Sequence, residues 1–228
     1  MEFSDEFDDA SRLSQWNRAH EQEGYAALHS VLDVDQSTPG ELTLVPLPGV
    51  GWFGDFQGPL LYKNVAGDFV VETFVTAGNA GDPLQPPTQL FNSAGLLVRD
   101  PDHGPGTEDW LMHNAGYQAT FVGTEGKTTV GSSSVLTLVP GSHRLRLRVC
   151  RFGSRIVLAR QDEPGAAFVA THDYDRPDLP DELQVGLIVN GWGANEDQPN
   201  PASTPDLRAS FDYIRLWHTS SEADCLGD

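Results

Sequence analysis

The sequence contains little positive charge. Its 228 residues include two lysines, Lys63 and Lys127, and 14 lysine and arginine residues in all, against 33 aspartates and glutamates. The formal net charge of −19 would repel the phosphate backbone of a nucleic acid and the surface of an anionic membrane. We therefore expect no nucleic-acid partner.

Long apolar runs are also missing. No stretch of about 18 apolar residues could cross a bilayer as a helix, so we expect no insertion into a membrane. The N-terminal stretch MEFSDEFDDASR is acidic, whereas a secretory signal peptide is basic and then apolar. A secreted form would therefore require a signal peptide that this sequence does not contain.

Cysteine is nearly absent, with Cys150 inside a predicted strand and Cys225 in the C-terminal tail. Two interpretations are open. Either the two cysteines form one disulfide that holds the C-terminus, or Cys150 is a small buried hydrophobe and Cys225 is a free thiol. Two cysteines alone are weak evidence of an oxidising compartment.

Signatures of nucleotide binding and nucleophilic catalysis are missing as well. Residues Gly126 to Thr129 (GKTT) resemble the end of a P-loop, but position 121 is Phe where that motif requires Gly. The serines at 132–134 lack a nucleophile elbow around them. The histidines lack the spacing of zinc ligands. We expect neither nucleotide binding nor a serine hydrolase.

The sequence does contain a series of short strand patterns, and its 23 glycines and 16 prolines fall between them. In Asp68 to Ala77 (DFVVETFVTA) and His143 to Cys150 (HRLRLRVC), side chains alternate between two faces. Serial short strands with almost no helical periodicity predict an all-β, antiparallel β-sandwich, as a single domain over residues 1–228. Further strands are predicted at Val31 to Val34, Glu41 to Val45, Thr128 to Val139, Gln184 to Asn190 and Leu207 to His218, with Thr124 to Lys127 as a turn.

Several segments together resemble a known group of proteins. They are FSDEFDDASRLSQWN, GPLLYKNVAGDFVVETFVTA, AGLLVRDP, WLMHNAGYQ, LRLRVCRFGSRIVLARQ, VGLIVNGWG and LRASFDYIRLW. In this order they resemble the concanavalin A-like lectin/glucanase superfamily, and most closely the bacterial extracellular domains of the DUF1349/laminin-G-like kind.

The resemblance implies a secreted, two-sheet jelly roll with one concave and one convex sheet, whose N- and C-terminal strands pair. The superfamily includes lectins, glycoside hydrolases, polysaccharide lyases and non-catalytic glycan-binding modules, and the fold alone does not choose among them. The hydrolase pattern Glu-x-Asp-x-x-Glu does not occur in this sequence. Its absence argues against a retaining glucanase.

The concave face is the expected glycan site, because sugars stack on aromatic rings and their hydroxyls bond to amides, carboxylates and imidazoles. Any one of the candidate aromatic residues named below could instead pack in the core or at the rim of the fold. Alternation along the strand WLMHNAGYQ separates Trp110 and Asn114 from His113 and Tyr117, and we favour His113 and Tyr117 as the residues facing the cleft. The candidate ligand-binding residues are Trp52, Phe56, Trp110, Asn114, Tyr117, Gln118, Asn190, Trp192 and Asn195.

Glu72 is the candidate catalytic acid, because it lies in the middle of an otherwise apolar strand face. If it projects into the concave face, partial desolvation would raise its pKa, and Asp100 or His113 could complete an acid–base pair. The alternative is a structural ion pair between Glu72 and Arg99. A carboxylate in the middle of a strand needs a partner in either case.

Calcium is the one metal that the sequence suggests, and it would be a structural ion. Asp5, Asp8, Asp9 and Asp212 could meet where the terminal strands pair, and a second acidic loop spans residues 100–109. Solvated acidic loops are the alternative interpretation.

The sequence therefore predicts an extracellular carbohydrate-binding protein with a concave aromatic cleft. Two alternatives remain: a glycoside hydrolase or polysaccharide lyase that acts on the same face, and a structural or adhesion module that binds a protein.

Overall fold

The computed structural model describes residues 3–219 and 221–227, and its fourteen described strands form two antiparallel seven-stranded sheets. The strands are β1 Asn17–Arg18, β2 His29–Val34, β3 Leu42–Pro46, β4 Leu60–Ala66, β5 Phe69–Asn79, β6 Asn92–Arg99, β7 Trp110–Tyr117, β8 Val122–Val130, β9 Ser133–Pro140, β10 Arg144–Phe152, β11 Arg155–Gln161, β12 Val169–Asp175, β13 Glu182–Gly191 and β14 Leu207–His218. The first sheet has the order β1-β4-β13-β6-β7-β8-β9, and the second has the order β12-β11-β10-β5-β14-β3-β2.

Helical structure is sparse in this fold. A 3-10 helix spans Ala10–Gln15, and the α-helices are α1 Ala19–Glu23 and α2 Ala223–Leu226. None of the helices in the described part of the chain is long and apolar enough to cross a membrane. The all-β sandwich predicted from the sequence is confirmed.

The core lies between the two sheets and follows from the alternation of side chains along each strand. On β5, Phe69, Val71 and Val75 point into it, and on β7 Leu111 and Ala115 do so from the opposite sheet. A second apolar cluster covers the outer face of the first sheet, and it includes the aromatic side chains of Trp52, Trp110 and Tyr62. It consists of Ala19, Trp52, Leu60, Tyr62, Leu97, Trp110, Met112 and Ile188.

The chain termini are tied to the second sheet. The backbones of Asp5 and Ile214 exchange two hydrogen bonds of 2.8 Å, so the N-terminal segment pairs with the last strand, as the resemblance implied. Cys150 on β10 forms a disulfide with Cys225 of α2. Of the two interpretations of the cysteines, the disulfide is confirmed, and it holds α2 against the outer face of the second sheet.

The predicted turn at Thr124 to Lys127 is wrong. These residues lie within β8, and the turn between β8 and β9 occurs at Gly131 and Ser132, both with positive φ (49° and 63°). The error arises because Glu125 and Lys127 are charged residues of the kind that turns expose, whereas here both are buried on the outer face of the sheet.

Candidate functional site

The floor of the candidate site is the outer face of β7 and β8. Met112 pairs in register with Lys127, and Asn114 pairs with Glu125. Because side chains alternate, Trp110, Met112 and Asn114 share this outer face, while His113 points between the sheets. The preference for His113 and Tyr117 as cleft residues is therefore wrong, and the opposite set faces outward.

The loop at residues 50–59 folds over this floor and carries Trp52. The backbone N–H of Trp52 donates to Asn190 Oδ1 over 3.0 Å, and its ring meets that of Trp110 edge-on at 5.9 Å between centroids. Gly51 permits this approach, because a Cβ there would lie 2.9 Å from Asn190 Oδ1 and 3.1 Å from the Trp192 ring. The loop is therefore fixed by direct contact with β13.

The loop and the segment after β13 enclose a cleft with a volume of about 60 Å³, enough for several water molecules or part of a sugar ring. Four predicted binding residues line it: Trp52, Asn190, Trp192 and Asn195. The structure thus brings together residues that are far apart in sequence. Phe56 does not line the cleft; it is exposed, and its ring meets that of Trp192 edge-on at 5.5 Å between centroids.

Glu125 and Lys127 form a polar pair at the base of the cleft. Lys127 Nζ lies 2.9 Å from Glu125 Oε1 and donates to the backbone carbonyl of Trp52 over 2.8 Å. Glu125 Oε2 accepts a hydrogen bond of 3.2 Å from Asn114 Nδ2. Lys127 thus joins the floor of the cleft to its aromatic loop.

The predictions from the sequence missed Glu125 and Lys127 as site residues. A signal was present, because Glu125 and Lys127 are two residues apart and therefore share one face if the segment is a strand. The interpretation of TEGK as a turn removed that inference.

A second charged network supports the other end of the same face. Arg99 donates from Nε and Nη2 to the carboxylate of Glu108 over 2.9 and 2.6 Å, and from Nη1 to Glu23 over 2.7 Å. Its guanidinium lies 5.1 Å from the centre of the Trp52 ring. Burial tends to raise the pKa of Glu23, but hydrogen bonds and charge from His103 and Arg99 lower it to about 2.

His103 makes the stability of this network depend on pH. Its Nε2 lies 3.1 Å from Glu23 Oε2, and this hydrogen bond raises the pKa of His103 above 6.5, although burial opposes the shift. The stabilisation is fully present below the unfolded-state pKa and is lost as pH rises through the folded-state pKa. We expect this contribution to the urea midpoint, measured as the difference between the wild-type protein and His103→Gln, to shrink as pH rises through the raised pKa of His103. The difference is the informative quantity, because buried histidines with lowered pKa values, such as His113 and His172, shift the midpoint of both proteins in the opposite direction. His103→Gln should remove this part of the pH dependence, and an unchanged slope in that variant would contradict the assignment.

The three predicted catalytic residues are not brought together. Glu72 lies on the outer face of the second sheet, where Arg148 Nε donates to Oε2 over 2.7 Å and the Tyr213 hydroxyl donates to Oε1 over 2.5 Å. His113 is wholly buried between the sheets, and burial lowers its pKa to about 3. Asp100 lies in the loop after β6. The expectation that Glu72 pairs with Asp100 or His113 on the cleft face is wrong.

The predicted ion pair between Glu72 and Arg99 is also wrong, because the two residues lie on different sheets. The reasoning behind it holds in part, since Glu72 does have an arginine partner. That partner is Arg148, which stands opposite Glu72 in the β5–β10 register.

The remaining predicted binding residues surround the cleft without lining it. Trp110 is wholly buried beneath Trp52, and Asn114 is buried beside Glu125. Gln118 is buried after β7 and donates from Nε2 to the carbonyl of Gly123 over 3.2 Å. Tyr117 ends β7 and is partly buried. The buried side chains of Trp110, Asn114 and Gln118 support the floor of the cleft, whereas Tyr117 belongs to the set on the opposite face of β7.

The predicted calcium ligands do not assemble. Asp5 is buried and accepts a hydrogen bond of 3.0 Å from the indole of Trp16, and Asp9 caps the 3-10 helix. Asp8 is exposed, and Asp212 lies in a groove on the outer face of the second sheet. Across residues 3–219 and 221–227, no group of three or more His, Cys, Asp or Glu side chains could hold a metal ion. These carboxylates do not fit a calcium site.

Proteins similar to this one are found by comparison of structures but not by comparison of sequences. No family model matches the sequence, and no curated protein matches it. The structure is similar to a functionally unknown protein from Saccharomyces cerevisiae, with a TM-score of 0.66 and 14% identity over 91% of this chain and 98% of that one.

Glycoside hydrolase proteins have similar structures as well. A xylan β-1,4-xylosidase from Bacillus halodurans C-125 gives a TM-score of 0.68 at 16% identity over 93% of this chain, which spans 38% of the xylosidase. An immunostimulatory antigen and pseudo β-1,3-glucanase of Mycobacterium tuberculosis gives 0.56 at 13% identity over 95% of this chain and 98% of that one. At these identities the similarity shows the fold, and that fold is a β-sandwich of the kind found in glycoside hydrolase proteins.

Proposed function

We propose that the protein binds a polysaccharide or oligosaccharide in the cleft and does not cleave it. One observation carries the proposal: the rings of Phe53 and Trp192 and the exposed amide of Asn195 border the same cleft, with Trp52 and Asn190 buried in its wall. The apolar faces of sugar rings stack on indoles, and their hydroxyls bond to amide groups. The structural similarity to glycoside hydrolase proteins is consistent with a glycan as the ligand.

Binding is favoured over cleavage because the cleft lacks a suitable pair of acids. Hydrolysis by two carboxyl groups requires a proton donor and a second carboxylate that face the same bond. The outward positions of β7 in the described structure hold Trp110, Met112 and Asn114, none of which is an acid. Glu125 is engaged by Lys127 and Asn114. The acids on the rim, Glu196 and Asp197, are exposed to solvent and lack the burial that a general acid needs at neutral pH.

We further propose that the protein works in an oxidising, extracellular compartment and belongs to the DUF1349/laminin-G-like group. The disulfide between Cys150 and Cys225 supports the location, because such bonds persist mainly outside the reducing cytosol. The family assignment rests on the segments quoted above. A thiol assay of the protein purified from its native source tests the location, since free thiols there would contradict it.

The binding proposal predicts that Trp192→Ala weakens retention on a neutral polysaccharide by about 30-fold or more, as removal of a central aromatic anchor does. Trp192 is 6% exposed and contacts both Phe53 and Phe56, so it forms one wall of the cleft. The measurement is affinity electrophoresis in gels that contain neutral plant, algal or microbial polysaccharides.

The control is Val169→Ala, which removes an exposed apolar side chain from β12 of the opposite sheet and should leave this retention unchanged. Asn195→Ala changes an exposed residue of the rim and serves as the milder variant if Trp192→Ala does not fold. If neither Trp192→Ala nor Asn195→Ala weakens retention, the cleft is not the binding site.

A further inference from the structure

A groove crosses the outer face of the second sheet, on the side of the molecule opposite the cleft. It consists of two adjoining cavities, of about 560 and about 230 Å³. Arg146 and Gln161 line both of them and thus lie where the two meet. The larger cavity ends at Trp217 and the C-terminal segment, which the disulfide holds in place.

Two of the arginines in this groove are already engaged. Arg148 donates to Glu72 and also, from Nη1, to the backbone carbonyls of Cys225 and Gly227 over 3.0 and 2.5 Å. Arg215 donates from Nε and Nη2 to the carboxylate of Glu6 over 2.8 and 2.6 Å. Arg148 is buried and has little capacity left for a ligand, whereas the pair of Arg215 and Glu6 is exposed to solvent. Both guanidinium groups nevertheless have a carboxylate partner within the protein.

Arg146 differs from both. It is partly buried between the two cavities, and it makes no hydrogen bond or ion pair with any residue in the described ranges. A guanidinium has five N–H donors in a planar arrangement that matches a carboxylate or sulfate. In a chain with a net charge of −19, most arginines find an acidic partner, so an arginine without one in a groove is available to an external anion.

Aromatic rings line both of the cavities that Arg146 borders. Trp217 lines the larger cavity, and Phe74 and Tyr213 line the smaller one. A groove lined by an unpaired arginine and by aromatic rings suits a sugar chain with one acidic group, because rings can contact sugar faces while the guanidinium pairs with the anion. Asp162, Asp212 and Asp224 line the same cavities and would repel further negative charges. A densely charged polymer suits it poorly, since the remainder of the molecule is strongly acidic.

We propose that this groove is a second binding site, and that it takes an oligosaccharide with an isolated acidic substituent, which Arg146 pairs with directly. The site is independent of the cleft, because it lies on the other sheet. Its ligand is recognised by charge, whereas the cleft recognises neutral sugar surfaces.

The test is isothermal titration calorimetry with two matched sugars: xylotriose, and xylotriose that carries one glucuronic acid. We expect the wild-type protein to bind the acidic sugar at least about tenfold more tightly than the neutral one, and Arg146→Gln to lose this preference. Arg208→Gln is the control, because Arg208 is also partly buried and without an ion pair in the described chain, but lines neither cavity. It should keep the preference, as should Trp192→Ala.

Three results would overturn the proposal. The first is equal affinity of the wild-type protein for the two sugars, and the second is an unchanged preference for the acidic sugar in Arg146→Gln. The third is an equal loss of that preference in Arg208→Gln, which would mean that the preference depends on net charge alone. A short single-stranded oligonucleotide serves as the polyanion probe. The assignment would also be contradicted if the oligonucleotide bound through Arg146 as tightly as the acidic sugar does. A failure here leaves the cleft proposal standing, because that proposal is tested with neutral polysaccharides.

Discussion

Lys127→Met is expected to lower the free energy of unfolding by about 3–5 kcal/mol, because it leaves the buried carboxylate of Glu125 without its counter-charge. The side chains of Lys127 and Glu125 are 7% and 1% exposed, and 2.9 Å separates their charged atoms. The same change removes the hydrogen bond to the carbonyl of Trp52. We therefore expect glycan retention to fall together with stability. Urea unfolding followed by tryptophan fluorescence measures the first effect, and affinity electrophoresis measures the second.

The double variant Glu125→Gln/Lys127→Met separates the two effects. Removing both charges avoids the uncompensated carboxylate, so most of the lost stability should return. The loop that carries Trp52 would still lack its hydrogen bond from Lys127, so retention should remain weak. A single variant that loses less than about 1 kcal/mol would contradict the view that Glu125 and Lys127 form a buried pair.

Replacement of both Cys150 and Cys225 by alanine is expected to cost about 4 kcal/mol of unfolding free energy. The two residues are 75 positions apart, and a cross-link of that span removes a large share of the conformational freedom of the unfolded chain. The change also frees α2, so that the hydrogen bonds from Arg148 to the carbonyls of Cys225 and Gly227 lose their fixed geometry.

The disulfide acts on one side of the sandwich only. Glycan retention in the cleft should therefore survive at temperatures where the double alanine variant stays folded. Wild-type protein unfolded with and without a reductant supplies the control, since the reduced wild-type protein should match the variant. Equal stability of the oxidised protein and the variant would mean that the disulfide does not hold the C-terminus in the native protein.

Strands with a local pattern could be predicted from the sequence. The prediction for the last strand, Leu207 to His218, agrees with β14 at both ends, and Asp68 to Ala77 agrees with β5 to within two residues. Alternation of apolar and polar side chains is local information, so a single segment suffices to recognise it. The nature of the fold, a sandwich of short antiparallel strands, follows from repeating that pattern along the chain.

Pairings between distant segments could not be predicted in the same way. The sequence shows that Glu72 needs a partner, but its identity is set by the β5–β10 register, which places Arg148 opposite it. Alternation along β7 defines two sets of side chains without indicating which set faces the core. Which set faces the core depends on how the two sheets pack. In this structure His113 faces the core and Asn114 faces outward.

The candidate site was predictable in kind and only partly in composition. Trp52, Asn190, Trp192 and Asn195 were selected because their side chains suit sugars, and the structure gathers all four around one cleft. Lys127 was missed because the segment TEGK was interpreted as a turn, and because its hydrogen bond to the carbonyl of Trp52 joins positions 75 residues apart. Charged residues that are buried by such contacts look like surface residues in a sequence.

The most direct test of the central claim, that the cleft binds a glycan without cleaving it, is product analysis of the purified protein with a panel of polysaccharides. Each polysaccharide is incubated with wild-type protein and with Trp192→Ala, retained protein is quantified, and the supernatant is examined by mass spectrometry for released oligosaccharides. We predict that wild-type protein is retained on at least one neutral polysaccharide, that Trp192→Ala is not, and that neither releases products. Oligosaccharides released by wild-type protein would contradict the claim and identify an enzyme.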